Sequence, residues 1–577
     1  MKKIVYIAVI SAFLAIGIGG CSDHLNTRNL MQQNTDTFFR TPAEIHQALL
    51  GVYDALYVYS PGGLGLEFVV ATMLADYTFA GGGPDDYRMH GVAAFQNPFE
   101  DSFVDLWRRT YVGVHRANTL IEALYRADLS AWFMSETEAT AFINDVKGQA
   151  YFLRGFFMLR AARFFGGMPI IYSTGTARNV PRASFSETFA YIARDFNTAI
   201  DLLPRRNINT IPTSEVGHVT VWAAKAYLAR TFLFYTGYMT NMENTPTTTL
   251  PLPDGSSITN AQVVAHLNDV IAYSGHELLS DPRNLWPYAH ANVVAREHGG
   301  TIIPWIDNEG LEWAGQDGPN SPIGTGNRET MFAIRNTAGT WGNQGIRRRN
   351  GTALHWGLRA NHGPTLTWGQ GWGMAPVNTH FWDNWPEADI RRRGSILDLS
   401  ASDEAVEAYD HNLNNGAHHT GLVIKKYIGL RLNGREMWGW LYSGIPTDFM
   451  LSNGQDYLHM RFADVLLMHS ELTQTNTGMN QVRARAGMPP VAFSMNALMD
   501  ERKFEFAFEA SRWFDLIRSG DALNPARNYW GRPTPVITAN APAIHSVTFR
   551  TETRGLLPIP ESEIRLADGA YTQNPGW

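Results

Sequence analysis

With a single cysteine in 577 residues the chain can close no internal disulfide, so its fold has to be held by packing. The common catalytic and nucleotide signatures are missing as well: there is no HExxH, CxxC or GxxxxGK[ST], no GxGxxG opening a helix after a strand, and no GxSxG elbow. Charge of one sign is scarce. The formal net charge is -7, and the basic runs stop at Arg347 to Arg349 and Arg391 to Arg393, so nucleic acid is not an expected partner. Histidines gather only at His411, His418 and His419, without a carboxylate or further histidine at a familiar ligand spacing. That group reads as a solvated polar loop, and neither metal nor cofactor is expected.

What the chain does have is ring and glycine: 12% Phe, Trp and Tyr, with 17 Trp and 52 Gly. Such a composition suits a bulky core or a surface that stacks ligands. At the start, Lys2 and Lys3 precede an apolar run from Ile4 to Ile18, too short and too terminal for an ordinary membrane span. It reads as an export signal. The residues Ile18, Gly19, Gly20 and Cys21 resemble the lipobox of bacterial lipoproteins, whose cysteine is acylated, and "SDHLNTRNLMQQNTD" then reads as a polar tether. The lone cysteine is thus expected to carry lipid.

Two textures follow. From about Thr41 to Leu203, Gly217 to Thr236, Asn260 to Tyr273, Tyr457 to Gln474 and Ser494 to Arg518, apolar residues recur at helical spacing. Trp107, Tyr111, Val114, Asn118, Ile121 and Tyr125 form one stripe whose single amide, Asn118, is expected to be buried and bonded. Val219, Trp222, Ala226, Ala229 and Leu233 mix one large ring with small residues, which predicts close approach of a neighbouring helix. The stretch "KGQAYFLRGFFMLRAARFFGGMPII" is apolar nearly all round and predicts an interior helix, with Gly166, Gly167 and Pro169 supplying the stop. In "DERKFEFAFEASRWFDLIRSG" charges of alternating sign lie three or four apart and predict an ion-pair network along a helix face.

Between roughly Ser274 and Asp456 the periodicity fails, and nine of the 17 tryptophans lie between Trp286 and Trp385. Loops and short strands are expected there. With little core to fill, many of these rings are expected either to pin the loops to the helices or to face a ligand. Asp307, Glu309 and Glu312 in "WIDNEGLEW" are acids near rings, the raw material of a glycosidase, but no pairing can be read from their spacing.

Several stretches together resemble the SusD/RagB family of outer-membrane lipoproteins: "TPAEIHQALLGVYDALY", "LWRRTYVGVHRANTLI", "AYFLRGFFMLRAARFFGGMPII", "NRETMFAIRN", "EADIRRRGSI", "YLHMRFADVLLMHSEL", "NQVRARAGMP", "ERKFEFAFEASRWFDLIRSG" and the closing "LLPIPESEIRLADGAYTQNPGW". The resemblance implies a mainly α fold of about four pairs of tetratricopeptide-like helical hairpins carrying an irregular, loop-rich ligand-binding subdomain. It implies no enzyme. It implies a lid-like partnership with a SusC-like TonB-dependent barrel, and capture of oligosaccharides or, in a minority of members, peptides. Two departures stand out: only "TQTNTGM" separates "MHSEL" from "NQVRARAG", which predicts a shortened hairpin, and the loop after Trp286 is long.

The resulting division is a signal at 1–20, a lipidated tether at 21–40, helical regions at 41–274 and 456–577, and the irregular subdomain at 275–455. Trp107, Asn118, Arg154, Trp513 and the closing "QNPGW" are expected to be packing and turn positions. Binding is expected where the family pattern runs out, in "FAGGGPDDYRMH", "WIDNEGLEWAGQDG" and the stretch from Thr340 to Gly373. Sugars offer a C–H face and a rim of hydroxyls, so a site needs flat rings with planar polar partners. The candidates are Tyr87, Trp313, Trp341, Asn343, Arg348, Trp356, Asn361, His362, Trp368 and Trp372. An uptake lipoprotein that binds oligosaccharide is the leading expectation; a peptide-binding relative and, less favoured, a glycoside hydrolase are the alternatives.

Overall fold

The computed structural model describes residues 38–57, 66–83, 86–97, 99–177, 179–316, 326–336, 350–359, 367–406, 409, 418–432, 435–436, 453–538 and 543–577. Helices begin where the sequence supplies caps. Thr41 and Thr259 form capping boxes with Glu44 and Gln262, and Ser135, Ser184, Thr220 and Ser494 each accept from the backbone N–H three residues on. The longer helices are α1 (Pro42–Asp54), α2 (Val104–Leu124), α3 (Glu136–Phe165), α4 (Phe185–Leu202), α5 (Val221–Asn241), α6 (Asn260–Tyr273), α7 (Phe462–Thr473), α8 (Thr477–Arg485), α9 (Met495–Glu505) and α10 (Arg512–Ser519).

These pack in successive pairs: α2 on α3, α4 on α5, α6 on α7 across the whole irregular segment, and α9 on α10. The fold is mainly helical, with few and short strands. Helix α8, the partner that follows α7, has only 9 residues, in keeping with the shortened linker in the sequence. Close approach depends on small residues. A Cβ at Gly113 would stand 2.4 Å from the Phe157 ring of α3, and one at Gly237 would stand 2.5 Å from the Arg518 carbonyl of α10.

The interior of this helical body follows the stripes. Val219, Trp222, Ala226, Ala229 and Leu233 are all buried, and α3 is buried on every side from Gly148 to Phe165 except at Tyr151. Asn118 is buried and donates from Nδ2 to the Ile171 carbonyl at 2.9 Å, while its Oδ1 accepts from Arg154. Arg154 also grips Asp195 of α4 with two bonds at 2.8 and 2.7 Å, so one guanidinium ties three helices. The stripe on α2 ends earlier than expected, because Tyr125 is 68% exposed at the helix terminus. Trp107 and Trp513 are buried, and Asn574 donates to the Phe165 and Leu557 carbonyls, which makes the closing "QNPGW" a tie between the C-terminus and α3.

The alternating charges near the C-terminus are interior, not a solvated face. Their partners come mostly from other elements: Arg502 bonds Asp464 and Asp515, Arg512 takes Asp76 in a two-bond grip, and Arg518 bonds Glu471 as well as Asp515. Helix α9 stops at Glu505, and Phe508 and Ala510 take left-handed backbone angles of 63° and 59° before α10 begins, which turns the charges inward from a bend. Arg461 sits at the centre. It contacts Glu329 at 2.5 Å, Glu505 at 2.8 Å and Glu509 at 2.8 Å, and Arg485, Arg391 and Lys426 close the ring of charge around these carboxylates. Burial by itself would raise the Glu505 carboxyl, but Arg485, Arg461 and Arg391 hold it well below the ordinary carboxylate range.

The irregular segment is joined to the helices by strand β1 (Thr330–Ile334), which pairs antiparallel with β2 (Tyr457–Arg461). Its rings extend the core of the helical body without a break. Trp286 and Trp356 meet Tyr427 edge-on at 5.2 and 5.8 Å, and Phe68 and Tyr457 complete the cluster. The Lys425 ammonium, fully buried with Glu404, lies 3.8 Å from the Trp305 ring centre, and Trp368 donates from Nε1 to the Glu404 carbonyl at 2.6 Å. Of the nine tryptophans between Trp286 and Trp385, Trp286, Trp305, Trp313, Trp356, Trp368 and Trp385 are buried, so most of the rings join the common core.

Candidate functional site

The site is built from two stretches far apart in sequence. Residues 78–82 run alongside 373–377: Phe79 N–H donates to the Pro376 carbonyl at 3.2 Å, Gly81 to Met374 at 3.0 Å and Gly82 to Gly373 at 2.8 Å. Only glycine fits at position 81, where a Cβ would lie 2.2 Å from the Gly373 carbonyl oxygen. The ladder continues outward through His418, whose N–H donates to the Gly82 carbonyl at 3.0 Å, and through His419, paired with Ile537. His418 and His419 are therefore part of the packed rim and not a solvated loop; His419 is 8% exposed and the His418 ring lies 5.5 Å from His90.

On this frame Asp86 accepts from the Gly83 N–H at 2.6 Å and from Arg359 Nη1 at 2.6 Å. Arg359 in turn reaches the Trp372 backbone carbonyl at 3.4 Å, so the Asp86–Arg359 pair is tied to the chain that carries the half-buried Trp372. Tyr87 follows Asp86 directly and is 56% exposed, with the Arg88 guanidinium 5.9 Å from its ring. Trp372 is braced by the His355 ring at 5.2 Å, and burial holds that imidazole down to about 4, hence neutral. The face thus presents one open ring, one partly covered ring and a planar carboxylate–guanidinium pair. That is the donor and acceptor geometry that paired hydroxyls require, beside surfaces for a C–H face.

The sequence candidates fall into three groups. Tyr87 and Trp372 lie on the two stretches that the Asp86–Arg359 pair joins, and both keep exposed surface. Trp313, Trp356 and Trp368 do not reach it: each is at most 2% exposed, so no ring face is left for a ligand, because the irregular segment joins the common core in a way that local pattern does not reveal. Cys21, Trp341, Asn343, Arg348, Asn361 and His362 lie outside the described residues. Asp86 and Arg359 were within the stretches singled out above but were not among the chosen residues. Their signal is the pairing itself, which spans 273 positions and leaves no local trace.

The stretch "WIDNEGLEW" lies elsewhere, with its rings buried and its acids Asp307, Glu309 and Glu312 exposed. Trp305 is buried, its N–H donating to the Asp403 carbonyl at 2.8 Å, and Glu309 is bonded to Arg283 at 2.8 Å. Asp307 bonds Asn292 and Arg296, and these hold its carboxyl below the usual range. A glycosidase needs one carboxyl raised to serve as acid, and Asp307 is shifted the opposite way. Among the described residues no group of three His, Cys, Asp or Glu side chains could hold a metal ion, and no helix is long and apolar enough to cross a membrane.

Family models match both ends of the chain: one described as the SusD family over residues 407–577, and one described as starch-binding associating with outer membrane over residues 23–233. Both models are of SusD type, and between them they match the two ends of the chain. SusD-like protein P2 of Formosa agariphila is 24% identical over 98% of each chain. Among solved structures, surface glycan-binding protein A from Bacteroides thetaiotaomicron in complex with laminarihexaose is similar with a TM-score of 0.67 and 19% identity, covering 92% of this chain and 99% of that one. A laminarin-binding SusD-like protein matches with a TM-score of 0.65 and 22% identity over 93% and 100% of the two chains. The second family description is one of association with the outer membrane.

Proposed function

We propose that this chain is an outer-membrane lipoprotein that binds oligosaccharides on the face carrying Asp86, Tyr87, Arg359 and Trp372 and delivers them to a SusC-like TonB-dependent barrel. The observation that carries the reading is the Asp86–Arg359 pair, which ties the stretch bearing exposed Tyr87 to the stretch bearing part-exposed Trp372. Similarity to a protein solved with laminarihexaose supports the ligand class. The chain acts by binding and not by catalysis, as its family does, and the acids at Asp307 and Glu309 are bound up in ion pairs.

Calorimetric titration with laminarihexaose, other oligosaccharides and short peptides tests the reading. Tyr87→Ala and Trp372→Ala are each expected to weaken glycan binding by about 1–3 kcal/mol, the worth of one stacking ring. Tyr87→Ala should leave the unfolding midpoint unchanged, since its ring is mostly exposed. Saturable heat with peptides alone would instead favour the peptide-binding alternative.

Anchoring rests on Cys21 as the acylated residue, with the protein facing the cell exterior. Cys21→Ala is expected to move the protein from the membrane fraction to the soluble fraction without changing its unfolding midpoint. Retention of that variant on membranes lacking any transporter barrel would rule the anchor out.

A further inference from the structure

Three histidines from three separate stretches come together on the frame that carries Tyr87. His90 follows Tyr87 by three residues in the helix Tyr87–Ala93. His418 donates its N–H to the Gly82 carbonyl, and its ring stands 5.5 Å from that of His90. His545 ends the strand Ala543–His545, which pairs antiparallel with Thr534–Val536, and its ring packs at 4.7 Å on the buried Phe79. At the same end of this strand pair Ile537 exchanges two backbone bonds with His419, at 3.1 and 2.7 Å. At the other end Thr534 Oγ1 bonds Asn378 at 3.2 Å, and the Pro533 carbonyl meets His380 Nε2 at 2.9 Å. The function proposed above uses none of the three rings.

The cluster is built to stay neutral, for a geometric reason. Nε2 of His90 and Nε2 of His545 are buried and have no hydrogen-bond partner. An imidazolium carries a proton on both ring nitrogens, so charging either ring leaves a buried N–H donor with nothing to accept it. Neighbouring charge acts the same way. Burial and then His418 lower the pKa of His90, while burial, His90 and His418 bring that of His545 down to about 4. The Gly83 carbonyl and Asp86 oppose this at His90, but Asp86 is shared with Arg359 and faces His355 as well. The charges that bear on His545 are the other two histidines. His419 lies against the Tyr409 ring at 6.2 Å.

We propose that His90, His418 and His545 form a pH-sensitive latch on the rim of the Tyr87 face: neutral, they hold the strand pair against residues 78–83, and protonated, they drive its His545 end away. As regulation of ligand capture this rests on the glycan reading of that face; as a movement of the rim it stands without it. The direction follows from proton linkage. A histidine near 6.5 when released and at about 4 in the closed frame takes its proton first in the released state. The closed frame is therefore fully favoured above about pH 6.5 and loses ground as the pH falls toward 4. At about pH 5.5 His545 by itself shifts the balance about tenfold toward release.

Hydrogen exchange of the mature protein at about pH 7.5 and about pH 5.5, corrected for the intrinsic exchange rate, tests the latch. In wild type the segments holding His418, His419 and Ile537 are expected to lose about tenfold in protection at the lower pH, while α4 keeps its protection. In the double variant His90→Gln with His545→Phe neither side chain can take a proton, and the new phenyl ring keeps the packing on Phe79. Its loss of protection should fall below about threefold. Should the double variant fail to fold, His545→Phe by itself carries the same comparison. Equal protection of wild type at the two pH values, or the same loss in wild type and variant, would overturn the latch. Laminarihexaose titration of both proteins at both pH values reads the site: affinity should fall at the lower pH in wild type and hold in the variant. An equal fall in both would overturn the coupling to the site. No saturable binding at the higher pH would sink the glycan reading, and the exchange result then decides the latch independently.

Discussion

Arg461→Ala is expected to lose about 3–5 kcal/mol of folding stability, the cost of breaking a buried ion pair by removing one partner. The guanidinium is 2% exposed and stands among Glu329, Glu505 and Glu509, none of which is more than 3% exposed. Without it three carboxylates face one another with less positive charge between them. The loss should spread, because Glu329 precedes β1, Arg461 ends β2, and Glu505 ends α9: the same charge joins the irregular segment to both helical regions. Denaturant unfolding measures it. Arg565→Ala is the matched control, since its pair with Glu100 is more than half exposed on both sides and should change stability by less than about 0.5 kcal/mol. Equal midpoints for Arg461→Ala and the wild type would show that the network is not what holds these elements together.

Trp368→Ala is expected to cost about 3–5 kcal/mol, as for a large buried ring cut back to a methyl group. The indole is fully buried and its N–H holds the Glu404 carbonyl, beside a Lys425–Glu404 pair that has no exposure on either side. Removing it opens a void next to two buried charges, which compounds the loss of apolar contact. Denaturant midpoints for Trp368→Ala and the half-buried Trp372→Ala should differ clearly, with Trp372→Ala losing less stability and more glycan affinity. A Trp368→Ala protein as stable as wild type but poor in glycan binding would return that ring to the ligand surface.

Both results concern residues whose type is plain in the sequence and whose role is not. Helix positions, caps and the shared faces of α2, α3 and α5 were legible because they rest on a 3.6-residue period and on side chains that bond three residues away. Asn118 could be placed in the interior from its position in an apolar stripe, and the family resemblance followed from the order of several such segments. Local pattern has no purchase on contacts between distant stretches. It could not tell that Arg512 would meet Asp76 across 436 positions, or that charges three and four apart would turn inward from a bend. Nor could it sort the tryptophans of a segment without period into those that fill a core and those that meet solvent. The sequence by itself determined the helical architecture and the kind of chemistry available. Tertiary structure alone decided which rings remain open and which carboxylate meets which guanidinium, because burial and ion pairing depend on where distant backbone is brought to rest.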